Sequence, residues 1–415
     1  MVITFYDSYN ILNKVYGEKT FVKQAFLDTP IREASRAQTT KICYGVLDKD
    51  ITLEYIISKL CLKMPKQKIK VILKIGLYSI IYLNTPSYLV TDTCVELIKK
   101  LGKGGTSGFV NAILRNYVRN GVNLDEEGNL GLSIKYSYPL FVVNELVKDY
   151  GLEMAENIMM EDFSRTFLTF NEDENGEEYL KNVNKEYQRT PFSNCFEVKN
   201  FKMNEDFYNG TYTFQSIGSV AICNVVEGGG KLLDACAAPG GKSVLLSNKF
   251  ESVTACELHE HRAELINSYA KRMNKQNITV KCMDSSIYLS EYDSAFDAVL
   301  CDAPCSGLGV IKDNPDIKLN RDKNSLNELN ALQTKILNNV CKYVKVGGSL
   351  YYSTCSILKR ENVNVALKFL KDNQNFKMEE IASPLANIKQ DVGLQFLPNL
   401  SSGAGFYVAK FKRIK

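Results

Sequence analysis

From about residue 206 the chain repeats one rhythm: a short apolar run, a turn of small or acidic residues, then a helical stretch. The runs are Lys231-Leu-Leu-Asp, Ser252-Val-Thr-Ala-Cys-Glu, Ile278-Thr-Val-Lys-Cys-Met-Asp, Phe296-Asp-Ala-Val-Leu-Cys-Asp-Ala-Pro and Gly347-Gly-Ser-Leu-Tyr-Tyr-Ser-Thr-Cys-Ser. Short apolar strands alternating with helices predict a parallel, doubly wound sheet, since parallel neighbours need a long crossover that packs back on the sheet. Residues 206–415 therefore read as an α/β domain. Residues 1–125 lack this rhythm. Ile51-Thr-Leu-Glu-Tyr-Ile-Ile-Ser-Lys-Leu and Val71-Ile-Leu-Lys-Ile-Gly-Leu-Tyr-Ser-Ile-Ile place apolar side chains three and four apart, as helices do. Gly45, Pro65, Pro86 and Gly102-Lys-Gly-Gly-Thr-Ser-Gly are expected at helix ends and turns. An all-α bundle is predicted, followed by a polar linker from Gly121 to Gly131. Residues 126–205 mix helical segments (Pro139 to Tyr150, and from Leu152) with strand-like Thr166-Phe-Leu-Thr-Phe, a small α+β subdomain. The acidic run Glu172-Asp-Glu-Asn-Gly-Glu-Glu is expected to be a solvated turn with no other role.

A length of 415 residues gives ample chain for two or three cores. At 45% hydrophobic and 24% charged residues, global disorder, collagen-like repeats and coiled-coil arrays are excluded. The net charge is only +4, so any basic surface must be a local patch. The longest apolar stretch, Val71 to Leu83, is broken by Lys74 and too short to span a bilayer. The opening Met1-Val-Ile-Thr-Phe lacks the pattern of a signal peptide. A soluble, cytoplasmic protein without a membrane partner is expected. Twelve cysteines in so long a chain do not suggest a secreted disulfide framework. No Cys-x-x-Cys pair occurs, and His259 and His261 are the only histidines, so no metal is expected. Cys43, Cys61, Cys94, Cys223 and Cys341 fall in apolar segments and read as small buried hydrophobes.

Ligands of doubly wound sheets bind beyond the carboxyl ends of the strands. The first strand runs into Asp234-Ala-Cys-Ala-Ala-Pro-Gly-Gly-Lys-Ser243, small residues that admit a ligand to the backbone ahead of a helix with free amides. This is neither a G-x-G-x-x-G fingerprint nor a P-loop, whose first Gly would have to be Cys236. Glu257 ends the second strand about 20 residues on, where an acid reaches ribose hydroxyls. Asp284 is expected at the end of the third strand and Asp302 at the end of the fourth. Acids at three successive strand ends suit a ligand with ribose hydroxyls, an exocyclic amine and an ammonium group but no phosphate. S-adenosylmethionine has these groups.

Pro304-Cys305-Ser follows the fourth strand and Ser353-Thr-Cys355-Ser the next, so both cysteines are expected at one rim of the sheet. Carbon 5 of a pyrimidine is a poor nucleophile until a thiolate adds at carbon 6, so methylation there needs a cysteine. Asp302 is placed to stabilise or protonate nitrogen 3 during that addition. The second cysteine then assists release of the product. The chemistry alone leaves open which of the two attacks, since DNA cytosine methyltransferases use the cysteine of the Pro-Cys pair. Ser356 is expected to cap a helix through Arg360-Glu361-Asn362.

Asp234-Ala-Cys-Ala-Ala-Pro-Gly-Gly-Lys242, Asp302-Ala-Pro-Cys-Ser-Gly307 and Ser353-Thr-Cys-Ser356 together resemble the motifs of the RNA 5-methylcytosine methyltransferases, the Sun/NOL/NSUN group. The resemblance implies a class I, Rossmann-like methyltransferase domain. It also implies Cys355 as nucleophile, Cys305 as the residue aiding release, and Asp302 beside them. Adenosylmethionine contacts are implied at Cys236, Ala237, Ala238, Pro239, Gly240, Gly241 and Lys242, and at Glu257, Asp284 and Asp302. In the N-terminal half, Arg36-Ala-Gln-Thr-Thr-Lys-Ile-Cys-Tyr-Gly45, Ile75-Gly-Leu-Tyr78 and Phe109-Val-Asn-Ala-Ile-Leu-Arg-Asn116 resemble the NusB-type helical RNA-binding domain. That fusion implies small-subunit (16S) ribosomal RNA as substrate, with cytosine 967 the expected target. Ser137-Tyr-Pro and Gly405-Phe-Tyr-Val-Ala fit the same pattern. The chain departs from it at Gln215-Ser216, Asp313-Asn314-Pro315, Thr166 to Asn171 and Ser402-Gly-Ala-Gly405.

Phosphate binding needs clustered cations. Candidates are Lys63, Lys66, Lys68 and Lys70; Lys99, Lys100 and Lys103; Arg115 and Arg119; and the tail Lys410-Phe-Lys-Arg-Ile-Lys. The target base must leave its stack to expose carbon 6, and a flexible loop from Lys312 to Lys323 is expected to close over it. A monomer is expected. The alternatives are methylation of a different ribosomal or transfer RNA cytosine, a small-molecule methyltransferase, and an RNA-binding module resembling an antitermination factor. Neither of the last two has a use for paired cysteines.

Overall fold

The computed structural model describes residues 1–161, 165–171, 173–403 and 405–415. Glu172, the first residue of the acidic run, and Ala404, within Ser402–Gly405, lie outside them. The chain divides into two compact units: Met1–Met160 with Ile311–Asp322, and Glu161–Val310 with Lys323–Lys415.

The first unit is helical. Val2–Glu18, Glu33–Asp48, Asp50–Leu60, Gln67–Ile81, Ser87–Lys100 and Ser107–Asn120 surround one apolar core that includes Ile11, Leu12, Val46, Leu53, Ile72, Leu97 and Leu114. Lys74, which breaks the apolar stretch, is buried in this core and ion-paired to Asp50 (2.6 Å) and Glu54 (2.7 Å). Gly45 is not at a helix end as expected. It sits inside Glu33–Asp48, where any Cβ would lie 2.0 Å from the Tyr78 ring, so the missing side chain makes room for that ring. The expected linker also carries structure, since a helix starts at Gly128 and Glu126 accepts hydrogen bonds from Tyr55 and Lys59. Helices Gly128–Tyr136, Leu140–Tyr150 and Leu152–Met160 complete this unit.

Residues Ile311–Asp322, which lie between strands of the α/β domain in sequence, cluster with the helical unit. Lys318 is fully buried, donating to the Asp48 carbonyl (2.5 Å) and to Asp48 Oδ1 (3.0 Å), while the Val22 amide donates to Asp316 (3.1 Å). Burial pulls the Lys318 ammonium down to about 8 despite Asp48. Burial also opposes ionisation of Asp48, but Lys318, Lys312 and Lys49 hold its carboxyl well below the usual range. The loop expected to close over the target base is thus anchored by a buried ion pair, which corrects that expectation.

The second unit opens with β1 (Thr166–Phe170), β2 (Tyr187–Arg189), β3 (Cys195–Val198) and β4 (Tyr212–Phe214), an antiparallel sheet in the order β2-β3-β1-β4 over an aromatic core including Phe170, Phe196 and Tyr212. The acidic run is only partly a turn. Gly176–Asn182 is helical, capped by Asn175 Oδ1 on the Glu178 amide (3.2 Å), and Glu177 accepts from Tyr187 and Arg189.

The large sheet follows: β5 (Lys231–Asp234), β6 (Ser252–Glu257), β7 (Ile278–Cys282), β8 (Phe296–Asp302), β9 (Val344–Thr354), β10 (Phe376–Glu379), β11 (Ile388–Lys389), β12 (Leu394–Phe396) and β13 (Phe406–Arg413). Its order is β11-β12-β13-β9-β8-β5-β6-β7, with β10 also on β13. Strands β5 to β9 pair parallel with one another, whereas β13 pairs antiparallel with β9 and β10 to β13 pair antiparallel, so the sheet is mixed. Neighbouring residues on each strand face opposite cores. Leu232, Leu300 and Tyr351 pack with helix Ile217–Val225, whereas Leu233, Cys301 and Tyr352 pack with Lys323–Val340 and Val363–Asp372. The first strand, β5, lies between β6 and β8, so the strand order reverses beside it. Ligands of such sheets bind at that reversal.

Candidate active site

Strand register sets the level of the rim. Asp234 pairs with Ala255 and Leu300, so Cys236 stands level with Glu257 and Asp302, and Asp302 pairs with Ser353. Asp234 itself lies one step lower and is buried. Its Oδ2 accepts from Ser243 (2.6 Å), and burial pushes its carboxyl up to about 6. Gly240 has a left-handed φ of 104° at the start of the short helix Gly241–Leu246, a conformation that favours glycine. A Cβ on Gly241 would meet the Gln215 side chain at 2.8 Å.

The acidic residues divide. Glu257 ends β6, buried, with Oε1 accepting from the His259 amide (3.1 Å) and Arg262 (3.3 Å). Asp284 lies two residues past the end of β7 rather than at it; the Ser286 amide donates to it (2.8 Å), and bonds from Ser286 lower its carboxyl. Asp302 ends β8 and is ion-paired to Lys242 (2.7 Å) while accepting from Ser353 Oγ (2.7 Å). Burial opposes the charge on Lys242, but Asp302 above all, with Cys223 and Cys355, holds its ammonium above the usual lysine range. The residues present suit adenosylmethionine: acceptors stand at successive strand ends, a glycine turn leaves the backbone open, and the cation at the rim is already neutralised by Asp302, which would serve an anionic phosphate poorly.

Cys305 and Cys355 lie on adjacent strand-end loops with their sulfurs 3.2 Å apart, both half-buried. The hydrogen bond to Cys355, then burial, pushes the Cys305 thiol well up. Among the other cysteines, Cys256 is pushed to about 12 by burial, and Cys43, Cys94, Cys195, Cys223, Cys301 and Cys341 are buried; Cys236 is half-buried and Cys282 exposed, and Cys61 is half-buried rather than the buried hydrophobe expected. The Cys355 loop is tied on both sides. Thr354 Oγ1 donates to Asn362 Oδ1 (2.5 Å), and Asn362 Nδ2 donates to the Ser356 carbonyl (2.9 Å) and to Gln395 Oε1 (2.7 Å). Gly309 donates to the Cys355 carbonyl (2.9 Å) and packs so closely that a Cβ on it would lie 1.8 Å from Gly405 O. Ser356 does not cap the helix Val363–Asp372, as expected for it; it donates to Glu361 Oε2 at 2.5 Å. Sequence reasoning missed Glu361, Gln333 and Gln395. A lone acid five residues after the Thr-Cys-Ser motif carries no signal until the fold folds it back. The Ser216 departure is benign, since Ser216 Oγ caps Ile217–Val225 (3.3 Å), a task aspartate does equally well.

A mixed α/β sheet with this rim, preceded by a separate helical unit, defines an S-adenosylmethionine-dependent methyltransferase with an N-terminal bundle. The family model described as 16S rRNA methyltransferase RsmB/F matches residues 222–412, and that of the NusB family matches residues 8–119. Over 90% of this chain and 87% of its own length, ribosomal RNA small subunit methyltransferase B of Pasteurella multocida (strain Pm70) is 30% identical. The probable ribosomal RNA small subunit methyltransferase B of Bacillus subtilis (strain 168) is 29% identical over 97% of this chain and 95% of its own. Among solved structures, PH0851 superposes with a TM-score of 0.84 over 99% of this chain and 98% of its own at 20% identity. NSun6 from Pyrococcus horikoshii with SFG gives 0.58 over 66% and 97% at 17% identity. The chain belongs to the RsmB/F family of 16S rRNA methyltransferases.

Proposed function

We propose that this enzyme methylates carbon 5 of a cytosine in small-subunit ribosomal RNA, cytosine 967 being the expected target, with Cys355 as nucleophile and Cys305 as the residue that resolves the adduct. The observation that carries this reading is the pair of sulfurs 3.2 Å apart at one rim. Burial and the contact with Cys355 hold the Cys305 thiol protonated, so the attack on carbon 6 falls to Cys355, whose own proton passes to solvent. Addition builds negative charge on the ring. Asp302 serves by holding the Lys242 ammonium beside the cysteines, where it can stabilise that charge. Adenosylmethionine, held by Cys236 to Lys242 with Glu257, Asp284 and Asp302, supplies an electrophilic sulfonium methyl. Cys305, having passed its own proton to solvent, then takes the carbon 5 proton, and the electrons of that C–H bond restore the ring double bond as Cys355 leaves carbon 6 as a thiolate. Residues 1–125 bind the RNA and residues 206–415 carry the catalysis, while of the expected linking stretch 126–205 the part to Met160 clusters with the helical unit and the rest with the catalytic one.

The test separates the two cysteines. Cys355→Ala should abolish methylation with adenosylmethionine affinity unchanged in calorimetry. Cys305→Ala should accumulate an enzyme–RNA species that survives denaturing electrophoresis. An exchange of these phenotypes would reverse the assignment, and bisulfite sequencing of ribosomal RNA from cells with and without the gene would test the target base.

A further inference from the structure

We propose that Glu361 is a positioning residue for the cysteine pair, one carboxylate that grips the residue following each cysteine and so sets the two sulfurs in register. This deepens the two-cysteine reading and rests on it. Glu361 is completely buried. Its Oε1 accepts from the Ser306 amide (2.8 Å) and from Gln333 Nε2 (3.1 Å). Its Oε2 accepts from Ser306 Oγ and from Ser356 Oγ, each at 2.5 Å. Ser306 directly follows Cys305 and Ser356 directly follows Cys355, on loops that begin at different strands.

Four donors converge on the two oxygens, about the number of lone-pair sites a carboxylate offers. An ionised carboxylate accepts all four, and such charge-assisted bonds are short and strong. An amide in its place would aim two N–H groups at donors. The remaining contacts fix Glu361 itself, since the Tyr352 hydroxyl donates to its carbonyl (2.6 Å) and Gln333 Nε2 also bonds the Pro304 carbonyl (3.0 Å). A buried carboxylate also acts through space. Its charge adds to the hydrogen bond and the burial that keep the Cys305 thiol protonated. The same group therefore ties the two cysteine loops together and adds to the forces that keep the Cys305 thiol protonated.

Two measurements test this. In Glu361→Gln, single-turnover methylation should fall roughly 100-fold, the effect of an ångström of misplacement, while adenosylmethionine affinity stays unchanged. Alkylation by iodoacetamide, followed by mass spectrometry across a pH series without RNA, should show Cys305 reacting at lower pH than in the unsubstituted enzyme. A merely structural role would not move that profile. Should Glu361→Gln fail to fold, Ser306→Ala and Ser356→Ala, each removing one grip, should each slow single turnover about tenfold, the effect of losing one hydrogen bond. A folded Glu361→Gln with unchanged rate and unchanged Cys305 profile, or two serine variants at full rate, would overturn the proposal. Retained methylation in Cys355→Ala would instead sink the two-cysteine mechanism, and the alkylation profile would still decide what Glu361 does.

Discussion

Asp234 carries the motif that opens the cofactor loop, yet it is the least exposed acid of the rim and accepts a bond from Ser243. Burial, the largest cause, lifts its carboxyl to about 6 from an unfolded value near 3.9. Below about pH 4 both states are protonated. Between pH 4 and 6 the unfolded chain ionises first, so the folded state holds more protons and stability falls as pH rises. Above pH 6 the loss is complete, about 3 kcal/mol for two pKa units. Asp234→Asn in the ligand-free protein should therefore gain about 3 kcal/mol on the unsubstituted chain between pH 4 and pH 7, read from denaturant midpoints. A difference constant with pH would refute this. At this scale the sequence reveals groups that mark strand ends, because strand ends are local: Asp234, Glu257, Asp302, Cys305 and Cys355 all stand where spacing put them. It is silent on Glu361 and Gln395, whose partners come from distant loops, and on the pairing of Lys242 with Asp302, which needs two strands to be adjacent.

Elements follow the same division. Strands β5 to β9 match the five apolar runs, since each buried parallel strand writes its own apolar signature. Gly45 inside a helix and Ile311–Asp322 on the helical unit were illegible, because both depend on partners far away in the chain: Tyr78 for one, Asp48 for the other. The Asp48–Lys318 pair gives that placement a test. Asp48→Asn leaves a buried ammonium facing an amide, which should cost about 3 to 5 kcal/mol near neutral pH. With the Lys318 pKa already pulled to about 8, below its unfolded value near 10.4, the unfolded state binds more protons between those values. Without Asp48 the folded Lys318 pKa falls below 8, so the penalty should shrink as pH rises toward 8 and stay level above it, where both chains have lost the proton in the folded state. Adding Lys318→Met should recover most of the loss at neutral pH. Additive effects in that double-substitution cycle would contradict the buried pair.

For the molecule as a whole, a net charge of +4 leaves RNA affinity to patches, and the structure ranks them. Of the tail cations, Lys410 is buried and ion-paired to Glu227 and Glu379, while Arg413 donates to the Lys342 and Val344 carbonyls. These two brace the sheet, which leaves Lys412 and Lys415 as the tail's cations for phosphate. Lys63, Lys66 and Lys68 are exposed, on and beside the turn between Asp50–Leu60 and Gln67–Ile81, whereas Lys70 is bound to Glu54 (2.6 Å). Each phosphate contact adds about 0.7 to 0.9 to the slope of log affinity against log salt, through released counterions. Replacing Lys63, Lys66 and Lys68 together by Gln should therefore flatten that slope by about 2, measured by fluorescence anisotropy of a ribosomal RNA fragment across a potassium chloride series. Replacing Lys412 and Lys415 by Gln should leave it unchanged if the phosphates lie along the helical unit. Equal slopes for the two variants would move the RNA path off the helical unit's basic turn, and a flatter slope for the tail variant alone would put the phosphates against β13 instead.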